Sequence, residues 1–312
     1  NELGVPLTLL NAPAETAAAV IEMGARGQGH IADLCAIASP TIGVVTAVAA
    51  VHTELFGTLE DIARAKGELI EAVPVDGFAV LNGDDPAVAA MADRTEATVV
   101  TYGADGDVRA GGVELDADLR PRFRIEVGGE RAAVHLAVSG RHNVSNALAA
   151  AAIGHVCGIP LPRIAEGLEG ATLSPWRMEL RRSAAGGVVI NDAYNANPTS
   201  MRAALDSLAA FDADRRVAVL GAMGELGAGS AAAHLEVAGH AAALGIEVVA
   251  VACDAYGAQV RHVGSVDEAR AALGPVEPGS AVLVKASRAA GLERLAIDLA
   301  PRGKDGPAPA VE

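Results

Sequence analysis

Short apolar runs rich in Val and Ile alternate along this chain with longer Ala-rich stretches that repeat apolar residues at helical spacing. This alternation is typical of parallel α/β layers, in which each strand is followed by a helix that covers the sheet. In the first half, the pattern predicts a helix over residues 59–72 and strands over residues 18–22, 43–48, 77–81 and 97–102.

Between residues 108 and 138 the pattern changes to alternating apolar and polar positions, broken by Gly111-Gly112 and Gly128-Gly129. Such alternation with glycine pairs predicts an antiparallel meander appended to the first domain. Helices are predicted to follow over residues 143–157 and 162–170.

A second alternation begins after Ser174-Pro175-Trp176-Arg177, which we interpret as a linker. It predicts a doubly wound domain of about 130 residues. We place the boundary near residue 178, with domains over 1–178 and 179–300 and a disordered tail over 301–312 that is rich in Pro, Gly and charge. The predicted elements are strands 188–191, 216–220, 247–252 and 281–284 and helices 200–211, 231–244 and 289–299.

Composition narrows the possible partners. The formal net charge of −15 over 312 residues argues against nucleic acid or an anionic membrane as a general partner. The three cysteines are far apart, without disulfide or metal spacing, so we expect a reducing cytoplasm. No apolar run reaches the roughly 18 residues that a membrane span needs.

Lysine is scarce, at three of the 24 basic residues. Because arginine cannot be deprotonated and cannot carry a carbamate, we expect lysine to persist where amine chemistry is needed. Lys66 lies in a predicted helix and Lys285 ends a predicted strand. The sole Gly-Lys pair, Gly303-Lys304, is followed by Asp305, so the phosphate-binding pattern G-x-x-x-x-G-K-S/T is absent.

Polar residues follow two predicted strands. Glu22 ends the first strand and His52 follows the second, and ligands of open α/β sheets collect at the carboxyl ends of strands. With Lys66 they offer a carboxylate, an imidazole and a possible carbamate, a set suited to Mg2+ or Mn2+. Alternatively, Glu22 binds a loop and His52 is structural.

Three further stretches suggest binding. Asn143 and Asn146 open a helix three residues apart, so both carboxamides could reach one ligand, although Asn143 could simply cap the helix. Residues 191–198 are polar at alternate positions, which fits either a binding loop or a turn. Residues 221–227 form a glycine-rich loop without the G-x-G-x-x-G spacing, so it could equally be a tight turn beside a substrate.

Taken in order, these motifs resemble the Mur ligase family, the ATP-dependent amide-forming enzymes of peptidoglycan synthesis. Within the family they are most similar to the branch that adds D-alanyl-D-alanine. The resemblance implies a P-loop-type central domain with a mostly parallel sheet and a smaller Rossmann-like C-terminal domain. The motifs that carry it are Leu3-Gly4-Val5-Pro6-Leu7-Thr8-Leu9-Leu10, Ile21-Glu22-Met23-Gly24-Ala25, His52-Thr53-Glu54-Leu55-Phe56-Gly57, Ala65-Lys66-Gly67-Glu68 and Met223-Gly224-Glu225-Leu226-Gly227.

The resemblance also implies roles for individual residues. Glu22 and His52 are implied as Mg2+ ligands, and Lys66 as a carbamylated lysine that holds a second Mg2+. With these three, Arg177 would neutralise charge during catalysis. The residues implied to bind or border ATP are Asn143, Asn146, Arg177, Asp192, Tyr194, Asn195 and Asn197. Those implied to serve the incoming dipeptide or ADP are Lys285, Ser287 and Arg288.

The implied reaction is ADP-forming and joins D-Ala-D-Ala to UDP-MurNAc-tripeptide through an acyl phosphate, in a monomer. The family's N-terminal domain and its G-x-x-G-K-S/T segment are absent from this sequence, so we expect a piece of a longer protein that is inactive by itself.

Two alternative functions stay open. One is a relative with another amine acceptor, such as a folylpolyglutamate synthase or a MurT-like amidating subunit, although the latter usually carries four zinc-binding cysteines. The other is a catalytically silent binding module.

Overall fold

The computed structural model describes residues 1–49 and 57–301, which form two compact units. The first comprises Asn1–Val113, Phe123–Val134 and Val144–Leu168, and the second comprises Glu114–Arg122, His135–Asn143 and Glu169–Glu312. Parts of the predicted meander thus belong to the second unit, where Leu119 lies in the apolar core. The domain boundary near residue 178 stays a prediction, and the predicted tail beyond Pro301 lies outside the described residues.

Helices and strands alternate as the sequence predicts for an α/β chain. The α-helices are α1 (Gly4–Leu10), α2 (His30–Ala38), α3 (Leu59–Glu71), α4 (Pro86–Ala89), α5 (Asn143–Val156), α6 (Leu161–Glu169), α7 (Pro198–Ala209), α8 (Ser230–Ala243), α9 (Val266–Leu273) and α10 (Glu293–Leu299). The strands are β1 (Ile42–Val45), β2 (Phe78–Asn82), β3 (Thr98–Tyr102), β4 (Arg109–Leu115), β5 (Pro121–Val127), β6 (Glu130–His135), β7 (Glu179–Arg182), β8 (Val188–Asn191), β9 (Arg215–Leu220), β10 (Glu247–Val251), β11 (Arg261–Val263) and β12 (Ser280–Lys285).

The first unit contains a parallel sheet in the order β1-β2-β3. Helix α3 begins at a capping box formed by Thr58 and Asp61 and buries Ile62 and Ile70. Because Thr58 and Asp61 satisfy backbone N–H groups of the first turn, the sequence fixes where this helix begins. The predicted strands over 43–48, 77–81 and 97–102 and the helix over 59–72 are therefore confirmed in type. The meander region forms a separate three-stranded sheet in the order β4-β5-β6.

The strand predicted over residues 18–22 is wrong. These residues have no regular secondary structure, and Glu22 is exposed instead of ending a buried strand. Ile21, Met23 and Ala25 pack against a small cluster around Ile31, and the residues between them are exposed. The apolar run predicted a buried strand, but Val20 is exposed, and within the described residues no neighbouring strand supplies the ladder hydrogen bonds that define a sheet.

A tight contact in the first unit concerns Gly67, in the middle of α3. The Arg94 guanidinium lies across this glycine and donates to the carbonyl oxygens of Ala63 (3.1 Å) and Arg64 (2.9 Å) and to the Glu71 carboxylate (2.9 and 2.7 Å). A Cβ atom on Gly67 would lie 1.7 Å from Nη1 of Arg94. A side chain at position 67 would therefore displace the Arg94 guanidinium from these partners.

We expect Gly67→Ala to destabilise the first unit by about 1–2 kcal/mol, because losing the Arg94 contacts outweighs the helix propensity that alanine gains. Gly167→Ala in α6 is the matched control, since nothing lies within 4 Å of its added Cβ. Thermal melts followed by circular dichroism should move to lower temperature for Gly67→Ala and not for Gly167→Ala. Equal melting midpoints for the two variants would contradict this account.

The second unit contains a sheet in the order β11-β10-β9-β12-β8-β7, parallel except for β7. Its central strands are apolar throughout because both faces are covered. Val188 and Ile190 face one buried cluster, while Val189 faces a second cluster on the opposite side of the sheet. The predicted strands in this unit are confirmed, with ends shifted by up to a residue.

Three elements of the second unit were not predicted, and one helix is shorter than expected. Strands β7 and β11 lie at the sheet edges and are charged or short, and α9 is a short amphipathic helix, so none shows a long apolar pattern. The helix predicted over 289–299 is divided, because Arg288–Ala290 forms a 3-10 turn and Gly291 has a φ of 64° before α10 begins.

The strand order determines where functional loops can lie. Strand β12 lies between β8 and β9 and runs parallel to both. The loops that follow these three strands therefore leave from the same edge of the sheet, which is where open α/β sheets bind ligands. None of the helices in 1–49 and 57–301 is long and apolar enough to cross a membrane.

Candidate functional site

Ser287 joins the three loops at the carboxyl edge of the second sheet. Its Oγ accepts a hydrogen bond from the Gly224 N–H (2.7 Å) and donates to the carbonyl oxygen of Ala196 (3.4 Å). Its own N–H donates to the carbonyl oxygen of Ala222 (3.0 Å). One short side chain thus connects the loop after β12 with those after β8 and β9.

Lys285 is buried beneath these loops, at 2% exposure. Its Nζ donates to Oδ2 of Asp192 (2.6 Å) and to the carbonyl oxygen of Asn195 (2.8 Å). Sequence analysis assigned Lys285 to an incoming dipeptide or to ADP, whereas its ammonium group is occupied inside the fold. Lys285 therefore holds the loop after β8 onto β12, and direct contact with a ligand is not supported by this geometry.

Asp192 also holds the linker that precedes β7. Its Oδ1 accepts a hydrogen bond from the backbone N–H of Met178 (3.0 Å), while its Oδ2 binds Lys285. The carboxylate therefore connects the linker to the centre of the sheet. Asp192 is the residue implied to hold ATP, and both of its oxygens already have partners within the second unit.

The linker has a strained backbone on both sides of Arg177. Trp176 has a φ of 63° and Met178 has a φ of 47°, in the left-handed region that non-glycine residues seldom occupy. The Trp176 carbonyl oxygen accepts from the Tyr194 N–H (3.2 Å), and Met178 is bound to Asp192. Such strain persists where surrounding contacts determine the conformation, so the loop after β8 fixes the position of Arg177.

Two guanidinium groups stack on aromatic rings at this edge. The Cζ of Arg177 lies 4.1 Å from the centroid of the Tyr194 ring, and that of Arg288 lies 4.0 Å from the centroid of the Trp176 ring. Within residues 1–49 and 57–301, neither guanidinium makes a hydrogen bond or an ion pair. Their in-plane N–H groups are therefore available to an anion while the faces remain stacked.

The remaining residues implied to bind the nucleotide differ in burial and in hydrogen-bond partners. Asn195 is exposed and its side-chain oxygen accepts from the Ala196 N–H (2.8 Å), while Asn197 caps helix α7. Asn143 is buried and donates to the carbonyl oxygen of Ser139 (2.8 Å), whereas Asn146 is exposed. Asn197 and Asn143 thus have roles within the fold, and Asn146 and Asn195 are exposed residues.

Two buried side chains support the glycine-rich loop, and sequence analysis did not single them out. His234 accepts from the Met223 N–H at Nε2 (3.0 Å), and its Nδ1 lies 2.7 Å from the Ser230 carbonyl oxygen. The Tyr256 hydroxyl donates to the carbonyl oxygen of Gly221 (2.8 Å), and burial raises its pKa. His234 is one of two histidines in the Ala-rich helix α8, and nothing in that pattern revealed a partner eleven residues away in sequence.

The predicted metal ligands lie in the first unit or outside the described residues. Glu22 is exposed, and His52 lies outside the described residues. The Lys66 Nζ donates to the carbonyl oxygen of Ala47 (3.0 Å); burial lowers the pKa of Lys66, and the Asp85 carboxylate opposes that shift. Within the described ranges, no three His, Cys, Asp or Glu side chains are grouped so as to hold a metal ion.

Two family models match this chain. The Mur ligase middle domain model matches residues 1–154, and the model described as Mur ligase, glutamate ligase domain matches residues 176–288. MurF from Acinetobacter baumannii is 32% identical, with a TM-score of 0.88 over 96% of this chain and 68% of that chain. The chain belongs to the Mur ligase family. This confirms the resemblance inferred from the motifs.

Two further relatives that match are also MurF proteins by name. The UDP-N-acetylmuramoyl-tripeptide–D-alanyl-D-alanine ligase of Mycobacterium tuberculosis is 43% identical over 95% of this chain. The Thermotoga maritima MurF structure, solved in complex with ADP, has a TM-score of 0.85 at 26% identity and covers 94% of this chain and 69% of that chain. This chain spans 65% of the length of the mycobacterial relative.

Proposed function

We propose that this chain forms the nucleotide- and dipeptide-handling part of an ADP-forming ligase that joins D-Ala-D-Ala to UDP-MurNAc-tripeptide. The observation that carries the proposal is the edge of the second sheet, where the Arg177 and Arg288 guanidiniums lie over aromatic rings and have no hydrogen-bond partner among residues 1–49 and 57–301. The names of the MurF relatives, and the ADP complex of one of them, support the choice of substrates.

The reaction brings anionic reactants together, so the chain's task is placement and charge neutralisation. The terminal carboxylate of the tripeptide attacks the γ-phosphorus of ATP, the bond to the β-phosphate oxygen breaks, and ADP leaves. The amine of D-Ala-D-Ala then attacks the acyl carbon, loses a proton and expels phosphate. Arg177 would donate in-plane hydrogen bonds to phosphate oxygens, while Ser287 and Asp192 hold the loops that carry the other contacts.

Mg2+ fits the proposed residues only in part. The exposed Glu22 carboxylate is a suitable hard ligand, and His52 is proposed as a second ligand. Lys66 as an ammonium would repel a divalent ion, so this residue fits only as a carbamate. When bound, Mg2+ would supply Lewis-acid neutralisation of phosphate charge. Asn143, Asn146, Tyr194 and Asn195 are proposed to border the nucleotide.

The proposal is tested on the complete gene product that contains this chain. With ATP, Mg2+ and UDP-MurNAc-tripeptide present, we expect phosphate release to depend on added D-Ala-D-Ala. Ammonia and glutamate, supplied in parallel reactions, should not replace the dipeptide. Release that requires ammonia or glutamate would instead identify a relative with another acceptor, and ADP binding without any turnover would identify a silent binding module.

A further inference from the structure

Trp176 has no role in the proposed function, yet it occupies an unusual place in the second unit. It is the single tryptophan of the chain. Its φ of 63° is one that glycine adopts without strain and that a bulky side chain seldom tolerates. A large aromatic residue at such a position is costly unless its ring or its backbone makes contacts that offset the strain.

Both kinds of contact are present at Trp176. The ring lies against the Arg288 guanidinium, 4.0 Å from its Cζ. The carbonyl oxygen accepts from the N–H of Tyr194, whose own ring lies under Arg177. Trp176 therefore contacts the loop after β12 through its side chain and the loop after β8 through its backbone.

We propose that Trp176 is a positioning residue that holds the Arg177 and Arg288 guanidiniums ready for an anionic ligand. An arginine side chain normally loses conformational freedom when it binds, which weakens binding. Stacking on a ring restrains the side chain beforehand and leaves its in-plane donors open. The ligand chemistry is a phosphate or carboxylate group, which ATP and the dipeptide both carry, so this inference rests on the proposed function.

The decisive variants are Trp176→Gly and Trp176→Phe. Glycine accepts the observed φ, so Trp176→Gly removes the ring while leaving the backbone unstrained, and Trp176→Phe keeps an aromatic face. In the complete gene product we expect Trp176→Gly to raise KM for ATP or for D-Ala-D-Ala by about two- to tenfold, with kcat nearly unchanged. Trp176→Phe should recover most of that loss. Because the variant keeps the Trp176 carbonyl oxygen that binds the Tyr194 N–H, the substrate whose KM rises identifies which anion Arg288 binds.

The melting temperature of Trp176→Gly distinguishes a positioning role of Trp176 from a purely structural one. We expect Trp176→Gly to melt no lower than the unmodified chain, because relief of strain offsets the lost stacking. Unchanged KM values for both substrates in Trp176→Gly would overturn the positioning role while leaving the ligase proposal intact. A complete gene product without ligase activity would instead overturn the proposed function.

A second measurement needs no turnover. In the 312-residue chain, tryptophan emission comes from Trp176 alone. With excitation at a wavelength that tyrosine does not absorb, titration with inorganic pyrophosphate or with D-Ala-D-Ala should therefore give a saturable change for one of them. The Arg288→Leu variant should lose that change, because the stacked guanidinium is gone. No saturable change with either compound, or the same change in Arg288→Leu, would refute the proposal.

Discussion

Replacing Lys285 by methionine should lower the free energy of unfolding of the second unit by about 3–5 kcal/mol. Methionine fills similar space but leaves the Asp192 carboxylate half-buried without the Lys285 ammonium 2.6 Å from it. It also removes the hydrogen bond to the Asn195 carbonyl oxygen. The measurement is urea unfolding followed by the emission of Trp176, which lies in the same unit.

Two controls make this result specific. Arg215→Met breaks an exposed pair with Glu247 on the same sheet, at 3.2 Å, and should cost less than about 1 kcal/mol. The double variant Lys285→Met/Asp192→Leu removes both charges, so it should recover part of the stability that Lys285→Met loses. A loss for Lys285→Met no larger than that for Arg215→Met would show that the buried pair is not what holds the loop.

Replacing Lys66 by arginine should reduce ligase turnover of the complete gene product on the order of a hundredfold, because metal neutralisation of transition-state charge contributes several kcal/mol. The motivation is the persistence of Lys66 in a chain that otherwise uses arginine, within Ala65-Lys66-Gly67-Glu68. Lys66 lies half-buried on α3, with its Nζ 3.0 Å from the Ala47 carbonyl oxygen. Arginine keeps the positive charge but cannot form the carbamate that we propose.

A carbamate at Lys66 and a simple positive charge at Lys66 predict different results for further variants. Lys66→Ala should be as impaired as Lys66→Arg, and short carboxylic acids such as acetate should restore part of its activity by occupying the vacated space. Arg64→Lys, on an exposed position of the same helix, is the control and should retain normal turnover. Near-normal turnover in Lys66→Arg would mean that the residue acts as a positive charge and that no carbamate is needed.

The site was partly predictable because several of its residues follow strands. Arg177 lies in the predicted linker, and Asp192 and Tyr194 follow a predicted strand, whereas Ser287 and Arg288 were implied by the family resemblance. All five lie in one unit. Their individual roles were less predictable. Asp192 and Lys285 are 93 residues apart in sequence, and nothing local to either indicates that they form a buried pair. Glu22 was placed at a strand end that does not exist.

By itself, the sequence determined the α/β class, the type of most helices and strands, and the family. These follow from periodicity, capping residues and ordered motifs, all of which are local properties of the chain. The tertiary structure alone decided that Lys285 is buried, that His234 and Tyr256 support the glycine-rich loop, and that Trp176 adopts a left-handed conformation. Each of these depends on partners that the sheet order brings together from distant positions, and long-range pairing leaves no periodic signal in a single sequence.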